Sequence, residues 1–192
     1  SLENKQEPKA LELYFNKPAK VWEEAIPIGN GRLGGMVFGG VSEERIQTND
    51  DTFWSGEPRD VQNPSAAQYL PQIRQLLLDE KNLEAQELID KTMLGPWNEC
   101  YMPLADIVLK MEEDDYADYS RVLDLNRGVV TVRYKQGDVT YTREIFASYP
   151  DQAIVVKLAS DKKASLEMDL MLESQIKHQV QVVNDRTLSI TG

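Results

Sequence analysis

Four kinds of chemistry could be built from the residue types of this chain: paired carboxylates, a glycine-lined phosphate cradle, an oxygen-rich calcium loop, and indole rings for stacking. Asp50 and Asp51, with Glu43 and Glu44 nearby, supply carboxyls, and glycoside cleavage uses two of them about 5–9.5 Å apart. Neighbouring side chains on a strand point to opposite faces, so Asp50 and Asp51 make a poor pair. Asn49 to Ser55 reads more simply as a turn whose polar side chains cap backbone groups, with Phe53 and Trp54 packed. Gly29-Asn30-Gly31-Arg32-Leu33-Gly34 matches G-x-G-x-x-G literally. A dinucleotide site would need a helix next, whereas an apolar, glycine-flanked strand follows. Glu112-Glu113-Asp114-Asp115 offers oxygens but lacks the spacing and glycine of an EF-hand loop. Trp22, Trp54 and Trp97 could stack on sugar rings or sit in a core with one polar edge satisfied. His178, the single histidine, lies in a polar stretch and reads as an exposed side chain; alone it rules out a two-histidine zinc site. Cys100, the single cysteine, excludes an internal disulfide and a cysteine-based metal cluster.

The elements that must position these residues are mostly strands. Ala10 to Phe15 is apolar enough for a short one, ending at Asn16-Lys17-Pro18. Six of the chain's 11 glycines fall between Gly29 and Gly40 and suggest tight turns around a buried strand at Met36 to Phe38. Glu44 to Thr48 is a further strand. The middle is helical: Tyr69, Leu70, Ile73, Leu76 and Leu77 make one apolar stripe. Asn63-Pro64 reads as a cap, and a break is expected near Pro71, which fits only a first turn. Asn82 is expected to cap a second helix that stops at Gly95-Pro96, giving a helical hairpin. From Tyr101 onward the pattern is β. Candidate strands are Ile107 to Met111, Val129 to Lys135, Val139 to Phe146, Ala153 to Ala159, Leu166 to Leu172 and Leu188 to Thr191. Gln136-Gly137-Asp138 joins two of them as a hairpin. Val130, Val132 and Tyr134 share one face of the first arm, and Val139, Tyr141, Arg143 and Ile145 one face of the second. Many closely spaced strands predict a sandwich.

Composition sets outer bounds. The chain has 192 residues, and 21 Lys+Arg against 32 Asp+Glu leave a net charge of −11. With 41% hydrophobic residues it can build a core, as one domain or one and part of another. A pI near 4.6 argues against nucleic acid or an anionic membrane as partner. No apolar run is long enough for a transmembrane helix, and Ser1 to Ala10 carries no signal peptide.

The segment KPAKVWEEAIPIGNGRLGGMVFGGVSEERIQTNDDTFWSGEPRD, Lys17 to Asp60, strongly resembles the N-terminal region of glycoside hydrolase family 95, known for α-L-fucosidases with some α-L-galactosidases. Three more blocks agree in order: YLPQIRQLLLDEKNLEAQEL, YMPLADIVL from Tyr101, and VTYTREIFASYPDQAIVVKL from Val139. Asn49-Asp50-Asp51-Thr52-Phe53-Trp54 stands where the family usually has Asn-Glu-Asp-Thr-Leu-Trp, and Ala105 replaces a usual glycine.

The resemblance implies a mainly β fold, an antiparallel, supersandwich-like β-sandwich with an inserted helical hairpin near Pro64 to Leu94. Residues 1–192 would form this N-terminal domain, ending before the sandwich is complete. An (α/α)6 barrel that follows in such enzymes would carry out inverting hydrolysis. No catalytic residue, metal ligand or cofactor is therefore expected in this chain. Its partners would be its own barrel and a fucosylated or related oligosaccharide. Asn49, Asp50, Thr52 and Trp54 are expected to face the substrate cleft or the barrel, because a polar, aromatic, glycine-terminated loop offers hydrogen bonds and a stacking face together. Bacterial enzymes of this kind work outside the cytoplasm, so a periplasmic or extracellular location is expected. Two alternatives stand beside this reading: a free carbohydrate-binding module and the N-terminal domain of a glycoside phosphorylase.

Overall fold

The computed structural model describes residues 11–111, 115–163 and 166–192. The start from Ser1 to Ala10, including the expected beginning of the first strand, and residues 112–114 of the acidic run lie outside the described residues. The chain divides into two compact units, one of them Trp54–Tyr101 and the other holding the rest.

The larger unit contains two five-stranded antiparallel sheets and a hairpin. Its strands are β1 (Glu12–Phe15), β2 (Ile26–Gly29), β3 (Leu33–Val37), β4 (Glu43–Asp50), β5 (Ala105–Lys110), β6 (Ala117–Asp124), β7 (Val129–Gln136), β8 (Val139–Ser148), β9 (Ala153–Ser160), β10 (Asp169–Glu173), β11 (Gln179–Asn184) and β12 (Thr187–Thr191). One sheet has the order β1-β6-β7-β8-β9, the other β10-β5-β4-β3-β2, and β11 pairs with β12. The expected mainly β, antiparallel architecture is thus present.

The sheets meet through Ile26, Ile28, Val37 and Ile46 on one side and Leu123, Val130, Val132 and Ile145 on the other. Burying each such aliphatic side chain stabilises the fold by about 1.5–3 kcal/mol. Val130, Val132, Tyr134, Arg143 and Ile145 are all buried, as the alternation predicts. The β7–β8 turn is the two-residue loop Gly137-Asp138, with Gly137 at a φ of 56°.

Three strands do not follow from the sequence pattern. β2 carries Pro27 in mid-strand, which is tolerated because β2 is an edge. β6 places Tyr119, Arg121 and Leu123 inward, and a buried arginine breaks the hydrophobic alternation. β11 is exposed throughout, so no buried face marks it. β3 also runs longer than Met36 to Phe38 and includes Gly34 and Gly35. A Cβ on Gly35 would lie 3.3 Å from both Ile28 and Ile46, so this glycine lets neighbouring strands' side chains close over it. His178 is half-buried rather than exposed, with Nδ1 2.9 Å from the Ile176 carbonyl oxygen.

A polar layer lies inside this core. Glu44 from β4 and Arg143 from β8 form an ion pair of 2.9 Å, at 0% and 2% side-chain exposure. Glu44 also accepts from the Gly39 N–H at 2.7 Å. Arg143 donates to the carbonyls of Gly40 and Val41 and to the Tyr134 hydroxyl. Arg121 donates to the carbonyls of Val37, Phe38 and Glu24, and the Tyr119 hydroxyl to that of Gly39. These side chains hold the β3–β4 connection by donating to its buried carbonyls, of which that of Phe38 also accepts from the Ala19 N–H.

The smaller unit holds α1 (Leu70–Leu78) and α2 (Asn82–Thr92), the expected helical hairpin. A 3-10 turn over Ala66–Tyr69 precedes α1, and Pro71 sits in its first turn, where the break is expected. Asn63 does not cap the α-helix; its Oδ1 accepts from Ser65 N and Oγ, closing a local turn. Asn82 is the first residue of α2, with Lys81 at the capping position and no side-chain cap bond. The reason is the tight link before it, where Glu80 adopts a φ of 58° and the N–H of Lys81 reaches back to Leu76 O. Among the described residues, no helix is long and apolar enough to cross a membrane.

Candidate functional site

Three turns come together at one end of the sandwich through named hydrogen bonds. After β2, Asn30 Oδ1 accepts from the N–H groups of Arg32 and Leu33, which closes the turn around Gly31. Its Nδ2 donates to Ser148 O, the last residue of β8, at 2.7 Å. Strand register places Gly34 opposite Asn49 and Leu33 opposite Asp50. A Cβ on Gly34 would stand 2.5 Å from Asn49 Oδ1, so glycine there gives the amide its space.

Asp50 is the last residue of β4, and both of its oxygens are engaged. Oδ1 accepts from Thr52 N at 3.0 Å and Thr52 Oγ1 at 2.7 Å; Oδ2 accepts from Arg32 Nη1 at 2.7 Å. The Thr52 hydroxyl, then its N–H, and then Arg32 hold this carboxyl below its ordinary value. Asp50 is thus ionised at neutral pH and poorly suited to donating a proton. Arg32 reaches on to the third turn, donating from Nε to Gln152 Oε1 at 2.8 Å and from Nη2 to Gln152 O at 3.3 Å.

Of the expected residues, Asn49, Asp50 and Thr52 lie together here, the first two on the strand and not in a loop. Trp54 falls in the smaller unit. It bridges Tyr101 across the two ends of that unit and meets its ring edge-on, at 5.3 Å and 69°. Ser55 N donates to Cys100 O, and Cys100 N to Ser55 Oγ. Glu99 beside them takes Arg59 Nε at 3.0 Å and Ser55 Oγ at 3.1 Å. Trp97 is 92% exposed, and Trp22 of the larger unit is exposed as well, so these indoles are not core residues.

Of the other carboxylates weighed for a catalytic pair, Glu44 is buried against Arg143, Glu43 lies 3.6 Å from Lys110 with both side chains about half exposed, and Asp51 is exposed in the turn after β4. At the β7–β8 hairpin end a cavity of about 390 Å³ is lined by Met111, Tyr134, Tyr141, Leu158 and Met168, with Glu167 as its carboxylate. Among the described residues, no group of three or more His, Cys, Asp or Glu could hold a metal ion. The geometry at these three turns builds a polar, hydrogen-bonded surface. Sequence reasoning missed Arg32 and Gln152, which lie 120 residues apart. Asn30-Gly31 was the one local signal, as a turn former.

A family model described as "Glycosyl hydrolase family 65, N-terminal domain" matches residues 13–192. The chain is 37% identical over 174 residues to "Alpha-L-fucosidase 2" of Arabidopsis thaliana, which covers 88% of this chain and 20% of that protein. It is 31% identical over 186 residues to "Probable alpha-fucosidase A" of Aspergillus niger, covering 87% and 23%. The protein of the same description from Aspergillus oryzae is 30% identical over 179 residues, covering 85% and 24%. The chain thus spans about a fifth to a quarter of the length of the curated relatives it matches.

Proposed function

Because the chain belongs to the glycosyl hydrolase family 65 N-terminal domain family, we propose that it is the non-catalytic N-terminal part of a longer, family 95-type α-L-fucosidase. That protein removes terminal α-L-fucosyl, or α-L-galactosyl, residues from glycans, with inversion, in a barrel that follows. The chain packs on the barrel and shapes the rim of the cleft. The observation that carries the reading is that relatives bearing α-fucosidase names align with most of this chain over only the stated minor share of their own length. The engagement of Glu44 by Arg143 and of Asp50 by Arg32 and Thr52 is consistent with chemistry carried out elsewhere in the longer protein. A bacterial source and action outside the cytoplasm go with this reading.

The test compares the longer protein with this chain on a 2-linked fucosyl oligosaccharide, with and without phosphate. Fucose release by the longer protein alone, independent of phosphate, is expected. Release by this chain would end the non-catalytic reading, and dependence on phosphate would make the parent a phosphorylase. Asn49, Asp50, Thr52 and Trp54 face the cleft or the barrel in this proposal. Asp50→Ala and Trp54→Ala in the longer protein then raise KM or lower kcat while the protein still folds; unchanged kinetics at unchanged Tm would remove them from the site.

A further inference from the structure

The Arg32 side chain hydrogen-bonds both Asp50, at the turn after β4, and Gln152, in the turn after β8. We propose that it is a positioning residue, fixing the Asp50–Thr52 turn against the Tyr149–Gln152 turn so that this end of the sandwich presents one preset surface to substrate. The inference rests on the cleft-facing reading above.

Three of its five N–H groups are used in that task, one toward Asp50 and two toward Gln152. The forked guanidinium suits it, because a planar group can bond two partners at once where an ammonium acts as a point charge. Each partner in turn orders its own segment. Asp50 binds Thr52 through both N–H and hydroxyl, and Gln152 Nε2 donates to Tyr149 O at 2.6 Å. Gln152 also holds a φ of 51°, which a residue with a Cβ adopts only under support from its surroundings. A strained backbone residue held by an arginine from another turn is an arrangement that sets geometry. Arg32 remains 45% exposed while Asp50 is 13% exposed, so the linkage borders solvent and is not a core brace. Loss of such a linkage lets both turns relax, and small misplacements of binding groups weaken substrate capture out of proportion to their size.

The experiment is steady-state kinetics of the longer protein on a 2-linked fucosyl oligosaccharide, with Tm measured on each variant. Arg32→Ala is expected to raise KM about tenfold with kcat within about twofold. Arg32→Lys keeps the charge beside Asp50 and loses the fork to Gln152, so its KM falls between the two. Gln152→Gly is the control for folding: glycine accepts the positive φ without strain, so the protein stays folded, yet KM rises because the Oε1 partner is gone. Unchanged KM in Arg32→Ala at wild-type Tm overturns the inference, as does a fall in kcat alone. If Arg32→Ala does not fold, unchanged KM in Gln152→Gly overturns it and a raised KM supports it. A wild-type protein that releases no fucose overturns the functional reading and this inference with it.

Discussion

Glu44 and Arg143 bring opposite charges into an apolar core, which is stable only while each satisfies the other. Burial pushes the Glu44 carboxyl up, and the Arg143 guanidinium and the Gly39 N–H pull it back. Removing one member leaves the other buried and uncompensated, at a cost of about 3–5 kcal/mol. Glu44→Gln is expected near the lower end of that range, since its amide oxygen still serves one donor. Arg143→Met is expected to cost more, because it also removes the donor to the Gly40 and Val41 carbonyls. Urea unfolding of the two variants checks the order; equal losses would show that those carbonyls find other donors.

At the scale of elements, the β3–β4 connection is where backbone and side chain constrain each other most. Gly39 has a φ of 73°, and a Cβ there would lie 2.5 Å from the Tyr119 hydroxyl oxygen and 2.6 Å from Arg121 Cδ. A Cβ on Gly40 would collide with the Glu43 carbonyl oxygen, a backbone atom that cannot rotate aside. Gly40→Ala is therefore expected to destabilise the protein by about 3 kcal/mol, the upper part of the overpacking range. A Tm within a degree of wild type would show that the connection can shift. In the helical hairpin, Ile73 of α1 and Ala85 of α2 are the buried apolar residues. Ile73→Ala is expected to cost about 2–5 kcal/mol, read as lost amide protection in both helices by hydrogen exchange. Protection kept in α2 would mean that Ile73 does not hold the pair together.

For the whole molecule, the acidic surface sets the response to pH. Among the described residues, six carboxyls lie below their ordinary values: Glu24, held chiefly by the Lys20 N–H; Asp50, by the Thr52 hydroxyl; Asp118, by Lys135; Asp138, by Lys162; Glu144, by Lys157; and Asp161, by the Thr140 N–H. A carboxyl depressed in the folded state gives stability that is full above its unfolded pKa, about 4, and lost as pH falls through the folded value. Glu44, raised by burial, works in the opposite sense: its contribution is full below its unfolded value and lost as pH rises through the folded one. Six against one predicts that Tm falls on acidification below about pH 4. A Tm constant from pH 6 to pH 3 would mean that these hydrogen bonds and ion pairs do not persist in solution.

Local chemistry by itself determined the β-rich class, the helical hairpin and the inward faces of β7 and β8, because alternation and turn residues act over a few positions of chain. Val130, Val132 and Tyr134 could be assigned to one side without knowing what they touch. The partners of the charged residues were decided only by the tertiary structure. Arg143 reads as inward-facing, yet the carboxylate that makes this tolerable stands 99 residues earlier. Arg121, whose carbonyl partners lie 83 to 97 residues away, hid β6 for the same reason. Asp50 looks like a member of a polar loop; its engagement by Arg32, and Arg32's by Gln152, exist only once three turns share one end of the two sheets. Hydrogen bonds and ion pairs of that kind depend on distances of about 3 Å between groups far apart in the chain, and no local pattern encodes them.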